Sequence, residues 1–246
     1  MTVIPIHPAN PFDAIRQNIT EEYLSETQNY PWIVTFSGGK DSTLVAHLVF
    51  DMLLSLPPML RTRQGFFVFN GTLVESPLVV KHMRQSLAEI LRAAEIFRLP
   101  VSGEITVPKL QDTFWTLLIG KGYPTPNRSM RWCTDRLKIQ PTSGYILQKV
   151  NENGKAIIVL GVRKDESATR KASIENHKNL ENSNLTPHGD LKNALVYRPI
   201  ADLSTDDVWE FLAANDPPWG GTHSDLIKLY REAAGGECPI VLSQEE

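Results

Sequence analysis

Hydrophobic positions along the chain switch between helical spacing and short unbroken runs, and the switches mark out its elements. Phe12, Ile15, Ile19 and Tyr23 recur every three or four residues, predicting a helix over 12–30 that starts at Asn10-Pro11. Residues 32–36, Trp-Ile-Val-Thr-Phe, read as a strand, and Leu44, Val45, Leu48, Val49 and Met52 predict a helix over 41–54, ended by Pro57-Pro58. A second strand, 65–69, leads through Asn70-Gly71-Thr72 to a helix over 78–97 opened by Ser76-Pro77. A third strand lies between Pro100 and Pro108, and a helix with an aromatic, apolar face is expected over 109–119. Residues 144–150 predict another helix. The unbroken apolar run 156–161 suits a strand covered on both faces. Residues 163–189 are polar and read as an excursion. A fifth strand over 195–200 and helices over 205–214 and 224–233 complete the pattern. Alternating strands and helices predict an α/β fold with a doubly wound, mostly parallel sheet, residues 1–30 forming an arm and helix ahead of a domain over 31–246.

Composition adds bounds. The 246 residues are 41% hydrophobic and 22% charged, enough to bury one large core. A net charge of −3 gives no global attraction for nucleic acid, so any such contact is a local patch. No apolar run reaches membrane length and the first residues lack a signal pattern, so a cytoplasmic protein without a membrane partner is expected. Two cysteines, Cys133 and Cys238, make no disulfide framework; each is a free thiol or a ligand.

The chemistry concentrates after strands. Ser37-Gly38-Gly39-Lys40-Asp41-Ser42-Thr43 joins the first strand to a helix. Such a turn presents unbonded N–H groups to an anion, and its glycines let a phosphate approach the backbone. Ser37, Ser42 and Thr43 add hydroxyls, Lys40 a charge, and Asp41 a helix cap or a water-mediated Mg²⁺ contact. The spacing is not that of a Walker A loop. Glu75 follows the second strand, where it could hold Mg²⁺ or a ribose hydroxyl, or simply sit as an acid in a first helical turn. Arg128, Arg131, Arg136 and Lys138 surround Trp132-Cys133-Thr134. Cations lower a nearby thiol's pKa, and Arg131 and Arg136 could clamp a phosphate; a solvated basic face is the other reading. After the fourth strand, Gly161 permits a tight exit, and Arg163, Lys164 and Arg170 flank Asp165-Glu166. That set suits a polyphosphate, or an ion-pair network on a helix surface. The six histidines show no metal-ligand spacing, and Trp209 reads as packing.

Together these stretches resemble a family. The Ser-Gly-Gly-Lys-Asp-Ser loop is similar to the PP-loop of ATP pyrophosphatases and adenylyl-sulfate reductases. Thr72 to Pro77, Phe114-Trp115, Ile119 to Pro124, Arg131 to Pro141, Leu160 to Ser167, Pro199 to Trp209, Pro218-Trp219-Gly220 and Gly235 to Pro239 resemble DndC-like DNA phosphorothioation proteins, and their SspD paralogues closely. The resemblance implies a HUP-like adenine nucleotide alpha hydrolase fold. ATP and Mg²⁺ would bind on Ser37, Gly38, Gly39, Lys40, Asp41, Ser42 and Thr43, with Glu75, Gly161, Arg163 and Glu166. Lys40, Asp41, Cys133, Arg163, Lys164 and Arg170 would be catalytic. Arg128, Arg131, Arg136 and Lys138 would meet the DNA backbone, a cysteine desulfurase would supply sulfur, and other phosphorothioation subunits would be partners. The family places Asp where this chain has Gly71, and adds cysteines that join the Cys133 equivalent around a 4Fe–4S cluster. The cluster is therefore expected in a longer version and not on this chain's two cysteines. Two alternatives stand: an assimilatory phosphoadenylyl-sulfate reductase, disfavoured by Pro239 after Glu237-Cys238, and a non-catalytic adenine-nucleotide-binding subunit.

Overall fold

The computed structural model describes residues 11–26, 29–127, 130–176 and 183–232. Six strands form one sheet: β1 Trp32–Phe36, β2 Gly65–Asn70, β3 Val101–Thr106, β4 Ala156–Val159, β5 Leu185–Pro187 and β6 Ala194–Tyr197. Their order is β3-β2-β1-β4-β6-β5, parallel throughout except for β5, which pairs antiparallel with β6. The order reverses between β1 and β4. In open α/β sheets ligands bind at the carboxyl edge beside such a reversal. Pro187 is tolerated because β5 is an edge strand.

The strands bury alternate residues on opposite faces. On one face Trp32, Val34, Phe36, Phe67, Phe69, Ile157 and Val159 meet α1 (Pro11–Leu24), α2 (Lys40–Ser55), α3 (Pro77–Ile96), α7 (Thr205–Ala214) and α8 (Ser224–Glu232). Phe12, Ile19 and Tyr23 place α1 in that same core. On the other face Ile33, Val68 and Ile158 meet Ile146 and Val150. Those two lie on α5 (Gln140–Asn153), which follows a short helical turn, α4 (Trp132–Thr134), and a wide turn, Asp135–Ile139. Helices on both faces make the sheet doubly wound, as its apolar strands predict. No described helix is long and apolar enough to cross a membrane.

Several boundaries move for physical reasons. The first helix ends at Leu24 rather than near Tyr30, and Asn10 lies outside the described residues. The helix expected over 109–119 breaks into a 3₁₀ turn at Leu110–Asp112 and a wide turn at Thr116–Gly120. Within these two turns only Leu117 is buried, while Leu110 and Ile119 are exposed, so there is no packed face to sustain a regular helix. The polar stretch 163–189 holds structure: a turn at Lys164–Glu166, α6 (Ala168–Glu175) capped by the Ser167 side chain, and β5. Local capping and pairing with β6 replace the hydrophobic periodicity that was missing there.

Three histidines distant in sequence meet beside α2. His47 Nδ1 lies 3.4 Å from His223 Nε2, and His47 Nε2 lies 3.2 Å from Asp51. His47 also packs edge-on against Phe211 and Trp219. Burial, then the neighbouring His47 and His82, push His223 down to about 4. A depressed histidine binds fewer protons folded than unfolded, so its contribution is intact above the ordinary value of 6.5 and is lost as pH falls toward about 4. Denaturant midpoints measured across that window should fall for the wild type. In His223→Gln the fall should be shallower.

Candidate active site

The Ser37–Thr43 loop sits at the carboxyl end of β1, at the point where sheet order reverses. Gly38 has φ +75°, a left-handed conformation costly for a side chain, and an added Cβ would lie 3.0 Å from Met83 Cγ. Gly39 is the extended N-cap of α2, and the first intrahelical bond runs from Thr43 N–H to Gly39 O at 2.9 Å. The N–H groups of Asp41 and Ser42 precede that bond and have no acceptor within the helix. Ser42 Oγ donates to Gly39 O at 2.9 Å, accepts from Ser37 N–H and lies 3.0 Å from Ser37 Oγ, which locks the loop's shape. From above, Tyr230 of α8 accepts the Lys40 N–H at 3.2 Å. Lys40 Nζ lies 5.4 Å over the Tyr230 ring and 3.6 Å from Asp41.

The loop after β4 presses on the first directly. A Cβ on Gly161 would fall 2.7 Å from the Asp41 carbonyl oxygen, so only glycine permits this backbone contact. Arg163 Nε then donates to Asp41 Oδ1 at 2.6 Å. The rest of its guanidinium is engaged by Asp165, the Leu203 carbonyl and the Thr205 hydroxyl. Arg163 is 1% exposed. In this geometry Arg163 is turned inward, donating to Asp41, Asp165, Leu203 and Thr205, and it braces Asp41. The hydroxyl of Thr205 stands at the start of α7, whose N-cap Ser204 exchanges bonds with Asp207. Lys164 is turned away to Asp202, a hydrogen bond that raises its pKa. Arg170 pairs with Glu166 at 3.3 Å, an i,i+4 pair. Glu166 also accepts the Arg163 N–H at 2.7 Å. The post-β4 cations are thus mostly an ion-pair network with one buried strut. Thr43 differs from its loop neighbours too: it lines a separate cavity of about 260 Å³ with His82 and His223.

A second group stands at the end of β2. Burial opposes ionisation of Glu75. The Thr72 hydroxyl and N–H, bonded at 2.7 Å for the latter, and the Lys138 charge nevertheless hold it below its ordinary value. Thr142 and Thr106 both donate to Asn70 Oδ1, which docks α5 against this strand end. Phe114 stacks on Trp132 with centroids 5.5 Å apart, and Trp132 Nε1 donates to Pro124 O at 2.8 Å. This holds half-buried Cys133 beside the Gly120–Pro124 loop. Arg131 is exposed, and Arg136 reaches Asp135 and Gln140. Arg128 and Cys238 lie outside the described residues. Among the described residues no three His, Cys, Asp or Glu side chains group as a metal site, and Cys133 alone does not supply a cluster's ligands.

Tyr230, Asp165 and Thr205 escape sequence reading. Tyr230 looks like an apolar helix position, and the other two gain meaning only once Arg163 is seen to point inward.

Arg163→Met should cost about 3 kcal/mol, the low end for breaking a buried pair, because Asp41 keeps some water. Arg136→Gln, on the surface, should cost under about 0.5 kcal/mol. Urea midpoints at constant m-value compare them.

A family model described as the phosphoadenosine phosphosulfate reductase domain matches residues 31–223. Two uncharacterized proteins of Methanocaldococcus jannaschii are similar. One is 24% identical over 225 residues, 90% of this chain and 44% of its own. The other is 25% identical over 189 residues, 77% of this chain and 32% of its own. The chain therefore spans less than half the length of these curated relatives. Among solved structures, the NH₃-dependent NAD synthetase of Campylobacter jejuni aligns at TM-score 0.51 and 16% identity, over 89% of this chain and 76% of that one. The phosphoadenylyl-sulfate reductase of Candida auris aligns at 0.49 and 13%, over 94% of each. The glycine loop at the switch point and the match across 31–223 have one conclusion: the chain belongs to the phosphoadenosine phosphosulfate reductase domain family, within the PP-loop ATP pyrophosphatase superfamily.

Proposed function

We propose that the chain binds ATP on the Ser37–Thr43 loop and splits it between the α- and β-phosphates, activating a DNA phosphodiester for sulfur insertion. The carrying observation is the loop itself. Left-handed Gly38, extended Gly39 and the Asp41 and Ser42 N–H groups, which have no acceptor within the helix, form the proposed anion cradle beside the Asp41–Arg163 pair. Ser37, Gly38 and Gly39 are the accessible members and fit the β- and γ-phosphates.

Asp41 is held by Arg163 and Lys40 on its two oxygens, so it suits a water-mediated contact to Mg²⁺ better than direct coordination. Magnesium bound with the nucleotide would supply charge neutralisation. Glu75, kept ionised at the end of β2, fits a ribose hydroxyl or a second carboxylate. In the proposed reaction a DNA phosphate oxygen attacks the α-phosphorus. The bond to the bridging oxygen breaks and pyrophosphate leaves with the electron pair. A sulfur nucleophile then attacks the adenylated DNA phosphorus and AMP departs. Arg131, Arg136 and Lys138 form the basic strip expected to meet the DNA, Cys133 within it is the candidate sulfur-handling thiol, and Arg128, outside the described residues, is expected to serve with them. A cysteine desulfurase is the expected donor, and other phosphorothioation subunits the expected assembly. No step is assigned to an iron–sulfur cluster.

Calorimetric titration with ATP·Mg²⁺ tests the cradle. Asp41→Asn should weaken binding at least about tenfold, roughly 1.4 kcal/mol. Wild-type affinity in that variant sinks the loop assignment. Pyrophosphate release that is the same with and without DNA sinks the DNA step.

A further inference from the structure

The cations near the glycine loop are engaged, yet one neutral side chain from α8 stands directly over it. Arg163, Lys164 and Arg170 pair with carboxylates, and Lys40 lies against Asp41. Tyr230, 190 positions beyond Lys40, reaches the loop from outside. Its hydroxyl oxygen accepts the Lys40 N–H at 3.2 Å, and a Cβ added to Gly39 would lie 3.1 Å from that same oxygen. Lys40 is the first residue of α2 and Gly39 its N-cap, so the hydroxyl sits at the helix start over the glycine backbone.

Packing fixes that placement. Leu226, one turn earlier on α8, is 1% exposed, and residues four apart share a helix face. The Tyr230 ring stands edge-on to buried Trp209 of α7 with centroids 4.9 Å apart, and Lys40 Nζ lies 5.4 Å from its centre. Just ahead of α8, His223 meets His47 of α2 at 3.4 Å. The helix is thus anchored on α2 and α7, with Tyr230 only half-buried near its end.

A phenolic hydroxyl both accepts and donates. The Lys40 N–H uses one lone pair, and the O–H meets no acceptor among the described residues. Seated this way, Tyr230 satisfies an N–H at the helix start and returns a donor that stands further out from the backbone.

We propose that Tyr230 is a phosphate-binding residue of the glycine loop: its O–H donates to a terminal phosphate of the bound nucleotide while its oxygen keeps the Lys40 N–H. This rests on the reading that the β- and γ-phosphates lie on Ser37, Gly38 and Gly39. It makes α8 the roof of the cradle, tightened by a charge-assisted hydrogen bond when the anion arrives.

The test titrates the full chain with sodium pyrophosphate and with ATP·Mg²⁺ in a calorimeter. Tyr230→Phe keeps the ring between Trp209 and Lys40 and removes only the hydroxyl. It should weaken both ligands about tenfold, which converts to about 1.4 kcal/mol, close to the lower value for one hydrogen bond to a charged group. Lys228→Gln, exposed on the same helix, should bind as the wild type does. Hydrogen exchange needs no variant: in the wild type, amides of 224–232 should exchange more slowly with pyrophosphate bound. Equal binding by Tyr230→Phe overturns the proposal. Tighter binding does too, because it makes the hydroxyl a competitor for the Lys40 N–H. Unchanged or faster exchange over 224–232 also overturns it. If the wild type takes up neither ligand, the nucleotide reading falls and this proposal with it. If the wild type binds ATP, Asp41→Asn loses it and Tyr230→Phe keeps it, the nucleotide reading stands and only the role of Tyr230 is lost.

Discussion

The contact between Gly161 and the Asp41 backbone is the constraint around which the site is arranged. Two loops leave adjacent parallel strands at the switch point and touch backbone to backbone, a closeness that any side chain at 161 would prevent. That approach brings Arg163 within 2.6 Å of Asp41. The guanidinium then spans Asp41, Asp165, Leu203 and Thr205, joining the start of α2 to the start of α7. Because an isolated buried charge is so unfavourable, each of these partners depends on the others being in place.

The cations consequently divide by what they already hold. Arg163, Lys164 and Arg170 are committed to carboxylates, and Lys40 is packed between Asp41 and Tyr230. The accessible part of the loop is therefore the Ser37–Gly39 backbone and the Ser37 hydroxyl, with lysine and arginine behind it. The basic residues around Cys133 are more exposed, and the Trp132–Phe114–Tyr123 cluster fixes their segment beside the end of β2. The glycine loop follows β1, and the basic segment leads into α5, which is docked against the end of the neighbouring strand β2.

Much of this was legible in the residues. The apolar runs at 32–36 and 65–69, and the run from 156 as far as Val159, are found as parallel strands, because a strand covered on both faces is apolar along its length. Ser76-Pro77 and Ser204-Thr205 open helices as expected, since their caps act within one turn. The glycine loop was recognisable from six residues. Less legible were stretches without periodicity. The described parts of 163–189 are built by capping and by pairing with the next strand, and 109–119 looks helical yet lacks a face to bury.

Local signals along the chain thus determined the α/β class, the position of the PP-loop and the polarity of its helix, because strand runs, glycine turns and helix caps are written in neighbouring residues. The direction of each charged side chain was decided by tertiary structure alone. Arg163 reads like a phosphate ligand until Asp41, 122 positions away, claims it. His47 and His223 look unrelated until α2 and the loop before α8 bring them to 3.4 Å. Burial and pairing are properties of distant residues meeting, and no local pattern encodes them.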